Sequence, residues 1–308
     1  MDEKEFWKQE DDFTKVNQHY VPRFWQRRFA DAQNAVYGRY GTSFDPDQNP
    51  KKRGQARKVG VADTMTSDCT YSLYNEYYQP YDVLENLLMV AEGKIAQTEG
   101  LILDPQTVVT PELRATFCWG IGLAVCRLPH VMKRAHRHRI DVAFALSRIG
   151  DMDRKEFEAS LGELGQKISD EEYEALKARP RDGLLETAEG LSKLSPQDPT
   201  FPEQDALYGL HILTAIFNGM DIAILDSIGP LFFILGDTPM PDYDLAKGFT
   251  VPLSKAAAAR LSPSASSPTF TRKQASQADV EAINQEQYNN SVKLVIGQDP
   301  TYLDLMKS

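Results

Sequence analysis

Five polar side chains, His19, Glu85, Glu92, Arg127 and Asp237, sit in otherwise apolar stretches drawn from separate segments of the 308-residue chain. Three carboxylates and an imidazole make a donor set for a hard divalent cation, Mg²⁺ or Mn²⁺. In that arrangement Glu85, Glu92 and Asp237 hold the metal and Arg127 neutralises a phosphate. His19 then serves as a ligand or as a general base near neutral pH. The chemistry that follows is metal-assisted phosphodiester hydrolysis, as in a nuclease. The same residues also suit a non-catalytic binding or regulatory module, in which His19 and Arg127 are buried hydrogen-bonding partners that dock the N-terminal segment on a helical core. Convergence in an open cleft distinguishes the first expectation; a sealed network distinguishes the second.

Arg127 follows the ten-residue apolar run Phe117 to Cys126 and precedes Leu128-Pro129. A guanidinium buried there needs an acceptor, either a structural carboxylate (Glu85, Glu92 or Asp237) or a bound anion. Asp237 ends the apolar stretch LFFILGD, where a carboxylate either enters a site or caps a turn. His130, His136 and His138 are interleaved with Lys133, Arg134, Arg137 and Arg139, a positive field that opposes metal binding. That segment reads as an exposed basic helix face, with a phosphate or RNA contact as its functional alternative. His211, in YGLHILTAIF, is expected in the core. Asn284, Asn289 and Asn290 can cap, solvate or orient a ligand. The chain carries no GxSxG, Walker, GxGxxG or HExxH motif.

The elements that must position these residues are mostly helical. A polar lead-in covers 1–16. Pro22 holds Val21 extended, FWQRRF allows a short helix, and Ala35 to Tyr40 reads as a strand. Asp82 to Glu99 is an amphipathic helix with Leu84, Leu87, Leu88, Ala91, Ile95 and Ala96 near the 3.6-residue period. Glu85 and Glu92, seven apart, share one face of it. A connector follows at Leu101 to Val109. Pro111 opens the next helix, which runs towards Gly150 and breaks near Pro129. Residues 151–205 form an acidic helical subdomain or insert, with a capping box at Ser169 to Glu172 and a breaker-rich linker at 195–204. Residues 203–219 form another apolar helix. Short strands are expected at Asp221 to Leu225, Leu231 to Leu235 and Phe249 to Leu253. Ala256 to Ser262 is ambiguous, and a last helix spans Gln277 to Val295. The architecture expected is mainly α (α+β), with core segments 17–150 and 206–308 and a small antiparallel sheet.

Composition excludes a disordered chain, a fibre and a disulfide-stapled miniprotein: 42% of residues are hydrophobic and 25% charged. Net charge is −10, which opposes wholesale capture by nucleic acid or an anionic membrane. The charge is uneven. Residues 151–205 hold fifteen acidic and seven basic residues, a surface that can face a protein partner. Residues 1–60 hold twelve basic and nine acidic residues, and the loop Asp45 to Lys58 carries a basic cluster. Three cysteines, Cys69, Cys118 and Cys126, form no paired motif and are expected as reduced core thiols. The N-terminus lacks the apolar stretch of a signal peptide, and Phe117 to Cys126 is too short to span a bilayer. A cytoplasmic location without membrane attachment is the expectation.

Asn17 to Phe24 (NQHYVPRF), followed by Arg28-Phe29 and a strand, resembles the start of a bacterial domain-of-unknown-function family marked by a His-Tyr-Val-Pro motif. Tyr81 to Ile95 is similar to that family's paired-glutamate helix, Cys126 to Pro129 to its Arg-x-Pro element, and Val251 to Ser254 to its Pro-Leu-Ser step. Phe233 to Pro239 resembles its strand ending in Ser-Asp-Asn-Pro, except that Gly236 and Thr238 flank Asp237 here. Ile283-Asn284 falls where the family carries a helix with Asn. The resemblance covers about residues 17–300 apart from 151–205. It implies aligned positions for the five polar residues and no assigned activity.

Overall fold

A computed structural model describes residues 17–40, 54–62, 64–68, 73–74, 80–81, 83–162, 167–192, 206–207, 209–240 and 245–306. The lead-in at 1–16, most of the basic loop, Cys69 and the 195–204 linker lie outside them. The helices are α1 (Arg23–Arg27), α2 (Val83–Leu103), α3 (Pro111–Cys126), α4 (Pro129–Arg148), α5 (Arg154–Ser160), α6 (Asp170–Lys177), α7 (Arg181–Ser192), α8 (Leu210–Asn218), α9 (Gln277–Asn290) and α10 (Pro300–Leu305). The strands are β1 (Asn17–His19), β2 (Val36–Tyr40), β3 (Arg57–Val59), β4 (Thr66–Asp68), β5 (Leu73–Tyr74), β6 (Pro80–Tyr81), β7 (Met220–Ser227), β8 (Leu235–Gly236), β9 (Phe249–Ser254), β10 (Ala257–Pro263), β11 (Phe270–Ala275) and β12 (Leu294–Gly297).

Helix α3 is the centre of the fold. Thr110 caps it by accepting from the Leu113 N–H at 3.2 Å, and Pro111 fills the first position, where a missing N–H does no harm. Nine of its last ten residues are buried. Pro129 restricts Leu128 to an extended conformation (φ −72°, ψ 131°), so the helix stops at Arg127 and α4 departs at a bend of 76°. Helix α2 lies close against α3, because a Cβ at Gly120 would come within 3.0 Å of Ile95. It runs on to Leu103, into the expected connector, and Leu87 faces solvent. No single described helix is long and apolar enough to cross a membrane.

The sheet content is larger than the sequence suggests. One four-stranded sheet has the order β11-β7-β10-β9, with β11 parallel to β7 and the other pairs antiparallel. The second, β3-β2-β12-β8, is antiparallel throughout. The ambiguous segment at 256–262 resolves as β10 because it is buried between two partners. By contrast, the strand expected at Leu231 to Leu235 shrinks to two residues. Its backbone is paired by side chains of α9 instead. Asn284 accepts from the Ile234 N–H at 3.0 Å and donates to the Phe232 carbonyl at 2.9 Å, and Gln287 accepts from the Gly236 N–H at 3.1 Å.

The last helix ends at Asn290, short of Val295. Both oxygens of Asp237 accept the N–H groups of Val292 and Lys293 at 2.8 Å, and the chain turns there into β12. Helices α5 to α7 share a small apolar cluster with the C-terminal half of α4, built on Ala145, Ile149, Phe157 and Tyr173. His211 points outward: α8 turns Phe217 into the core and leaves His211, Ile212 and Ala215 exposed, so the expected core histidine is a surface one.

Asn284 substitutes for a missing ladder, so Asn284→Ala leaves a buried donor and acceptor unmatched. The expected loss is about 2–4 kcal/mol in a urea titration, where Glu281→Ala, exposed on the same helix, loses under about 0.5 kcal/mol.

Candidate functional site

Three of the five singled-out residues meet where β1 crosses the end of α3. Arg127, 2% exposed, caps the C-terminus of α3, where a cation also complements the helix dipole. Its guanidinium donates through Nη1 to the Glu92 carboxylate on α2 and through Nη2 to the main-chain carbonyl of His19. The His19 ring turns away from this contact. Its Nε2 lies 2.8 Å from the Val61 carbonyl, an acceptor only, so the proton resides on Nε2. Burial, foremost, lowers the imidazole below its ordinary pKa, with Arg23 and Arg127 adding to the effect and the Val61 contact opposing it. Its Nε2 is thus already engaged by main chain.

The segment that carries His19 is fastened along its length. Buried Gln26 donates to the Val21 and Thr64 carbonyls at 2.7 and 3.1 Å and accepts from the Thr64 hydroxyl at 2.6 Å. Trp25 donates through its indole to the Pro252 carbonyl at 2.8 Å, joining α1 to β9. Lys255 reaches the Ala30 carbonyl at 2.7 Å. A second ion pair, Arg28 with Glu99, lies seven residues further along the same face of α2. Burial pushes the Glu99 carboxyl up to about 7, outweighing the opposite pull of Arg28. Arg28, Glu99, Gln26 and Thr64 escaped the sequence reading. One signal was available, since Glu99 continues the seven-residue spacing of Glu85 and Glu92.

Between the two ion pairs, Trp25, Ile95, Gly120 and Leu123 enclose a gap of about 10 Å³, the room of one water molecule. A roomier groove of about 250 Å³, lined by Ser227, Ile228, Leu231, Ser276, Gln277 and Val280, holds no titratable side chain. Glu85 is half-buried two turns before Glu92 on α2. Asp237 belongs elsewhere: it caps the turn after α9, and burial raises its carboxyl to about 6 against the pull of the Lys293 and Val292 N–H groups. Among the described residues no group of three or more His, Cys, Asp or Glu side chains could hold a metal ion. The expected ligand trio of Glu85, Glu92 and Asp237 is therefore not assembled. Burial also raises the Cys118 and Cys126 thiols to about 11 and about 12, which keeps them unreactive.

A family model described as "Protein of unknown function (DUF4238)" matches residues 17–301. The chain belongs to that family. The matched span of this DUF4238 chain opens at the first residue of β1 and closes within α10, so it contains both ion pairs and the Asp237 turn. No curated protein and no solved structure matches the chain.

Two outcomes test this geometry. Arg127→Leu leaves Glu92 beside an apolar wall and should cost about 3–5 kcal/mol, whereas Arg127→Leu with Glu92→Leu should cost clearly less than the sum of the single changes. The second outcome concerns pH. Glu99 and Asp237 bind their protons more tightly folded than unfolded, so their stabilisation is complete below about pH 4 and is lost as pH rises through about 6 and about 7. His19 acts oppositely, its stabilisation being present above about pH 6.5 and lost as pH falls through its lowered folded value. Chemical unfolding should show stability declining between about pH 4 and 7, with Glu99→Gln removing on the order of 3 kcal/mol of that decline.

Proposed function

We propose that this DUF4238 chain is a non-catalytic binding module whose buried polar network positions its N-terminal segment. The observation that carries this reading is the commitment of Arg127, whose guanidinium is engaged by Glu92 and by the His19 carbonyl inside the core. A phosphate clamp needs that guanidinium turned towards a space that a phosphate can enter, and the gap beside it has room for about one water. A general base must reach the reacting proton; Nε2 of His19 donates to a main-chain carbonyl, and the residue that carries the other ring nitrogen is 7% exposed. A metal ligand needs a carboxylate open to the ion, and Asp237 is 3% exposed with both oxygens already accepting main-chain N–H groups.

The test is incubation of the purified chain with labelled single- and double-stranded DNA and RNA in Mg²⁺, Mn²⁺ or EDTA. The substrates should remain intact in all three conditions, and Mn²⁺ should leave the melting temperature unchanged. Metal-dependent cleavage that disappears in a folded His19→Ala variant would overturn the proposal. So would a saturable Mn²⁺ stabilisation abolished by Glu92→Gln.

A further inference from the structure

Helix α4 presents a surface that the core does not use. Its twenty residues carry Lys133, Arg134, Arg137, Arg139 and Arg148 against a single acid, Asp141, in a chain of net charge −10. One side of the helix is fixed in the fold: Met132, Arg139, Ala143 and Ala145 are buried, and Arg139 donates to the Leu191 carbonyl at the end of α7. The opposite side carries Lys133, Arg137, Ile140, Phe144 and Arg148 at intervals of four, three, four and four residues. At 100° per residue they form one narrow outward stripe about 22 Å long. Lys133, Arg137 and Arg148 are exposed, Phe144 is 50% exposed and Ile140 is 37% exposed. The Arg148 guanidinium lies over the Phe144 ring, 5.7 Å from its centroid. Asp141 meets Arg137 at 3.6 Å, an exposed contact weak enough for a phosphate to replace.

We propose that this outward face of α4 binds single-stranded nucleic acid, a partner class that rests on the reading of the chain as a binding module. Lys133 and Arg137, one helical turn apart, suit successive phosphates, and about three turns beyond Lys133 the exposed Phe144 ring with its stacked Arg148 offers a platform for an unpaired base. Charge complementarity selects a polyanion, and the aromatic selects one with accessible ring faces. A duplex keeps its bases stacked inside and cannot use Phe144. An anionic membrane would require a broad apolar face, and this stripe carries only two large apolar side chains. Because the rest of the chain is acidic, the attraction is local and salt-sensitive.

Fluorescence anisotropy with the full chain tests the proposal, using labelled oligouridylate and oligothymidylate, a duplex and a polyglutamate peptide. The single strands should bind best, with a log–log salt slope of about −2 for three cations. Phe144→Ala should weaken binding about tenfold or more, and Lys133→Glu with Arg137→Glu should abolish it, while thermal melts stay unchanged because these side chains face solvent. No binding of single strands at low salt would overturn the proposal, as would equal affinity for polyglutamate or the duplex, or unaltered binding by the variants. Running the same samples on a denaturing gel separates the two readings. Cleaved strands would overturn the non-catalytic module and leave the α4 surface standing; intact, unbound strands would overturn the surface alone.

Discussion

A single buried guanidinium constrains how this chain folds. Pro129 stops the central helix at Arg127, deep inside the protein, and a charge held there requires a partner. Glu92, 35 residues earlier, and the carbonyl of His19, 108 residues earlier, provide it. The long helix α2, the central helix and the first strand are thereby tied at one point. Arg28 and Glu99 repeat the arrangement on the same face of α2 and fasten the far end of the N-terminal segment. Burying such pairs gains little net stability over a well-packed apolar substitute, but unpairing either one is costly. What the pairs secure is which segment docks where.

The same constraint explains why the polar residues resemble a catalytic set when read along the sequence. A histidine, an arginine and spaced carboxylates in apolar surroundings are what a hydrolase assembles, and also what a buried docking network assembles. The outcome turns on the direction of the groups. Arg127 points at main chain and at one carboxylate, His19 at the Val61 carbonyl, and Asp237 at the turn after α9. By contrast, the cations of α4 that point outward are interleaved with Phe144 and Ile140 and are not absorbed by packing.

Legibility in the sequence followed the range of the forces. Thr110-Pro111, Leu128-Pro129 and the Ser169 capping box act over a few residues, and the elements they bound are where local chemistry puts them. The α+β character was legible for the same reason. Strand β12 was not: the helix before it ends without glycine or proline, because its stop signal comes from Asp237, 55 residues from Val292. Strand β11 (FTRKQA) carries little apolar alternation and exists because it pairs with the buried β7. Of the site, Glu92 and Arg127 could be named and even paired as one alternative, whereas Arg28 with Glu99 depended on a contact across 71 residues.

The central claim is that the Arg127 network holds the N-terminal segment in place, and amide hydrogen exchange tests it most directly. In the native chain the Tyr20 N–H donates to the Met65 carbonyl at 3.1 Å, and β1 pairs with β4. In the doubly apolar variant Arg127→Leu, Glu92→Leu, Tyr20 and its neighbours in β1 should lose protection by about tenfold or more while β7 and α3 keep theirs. Unchanged protection at Tyr20 in that variant, with the fold intact, would contradict the account.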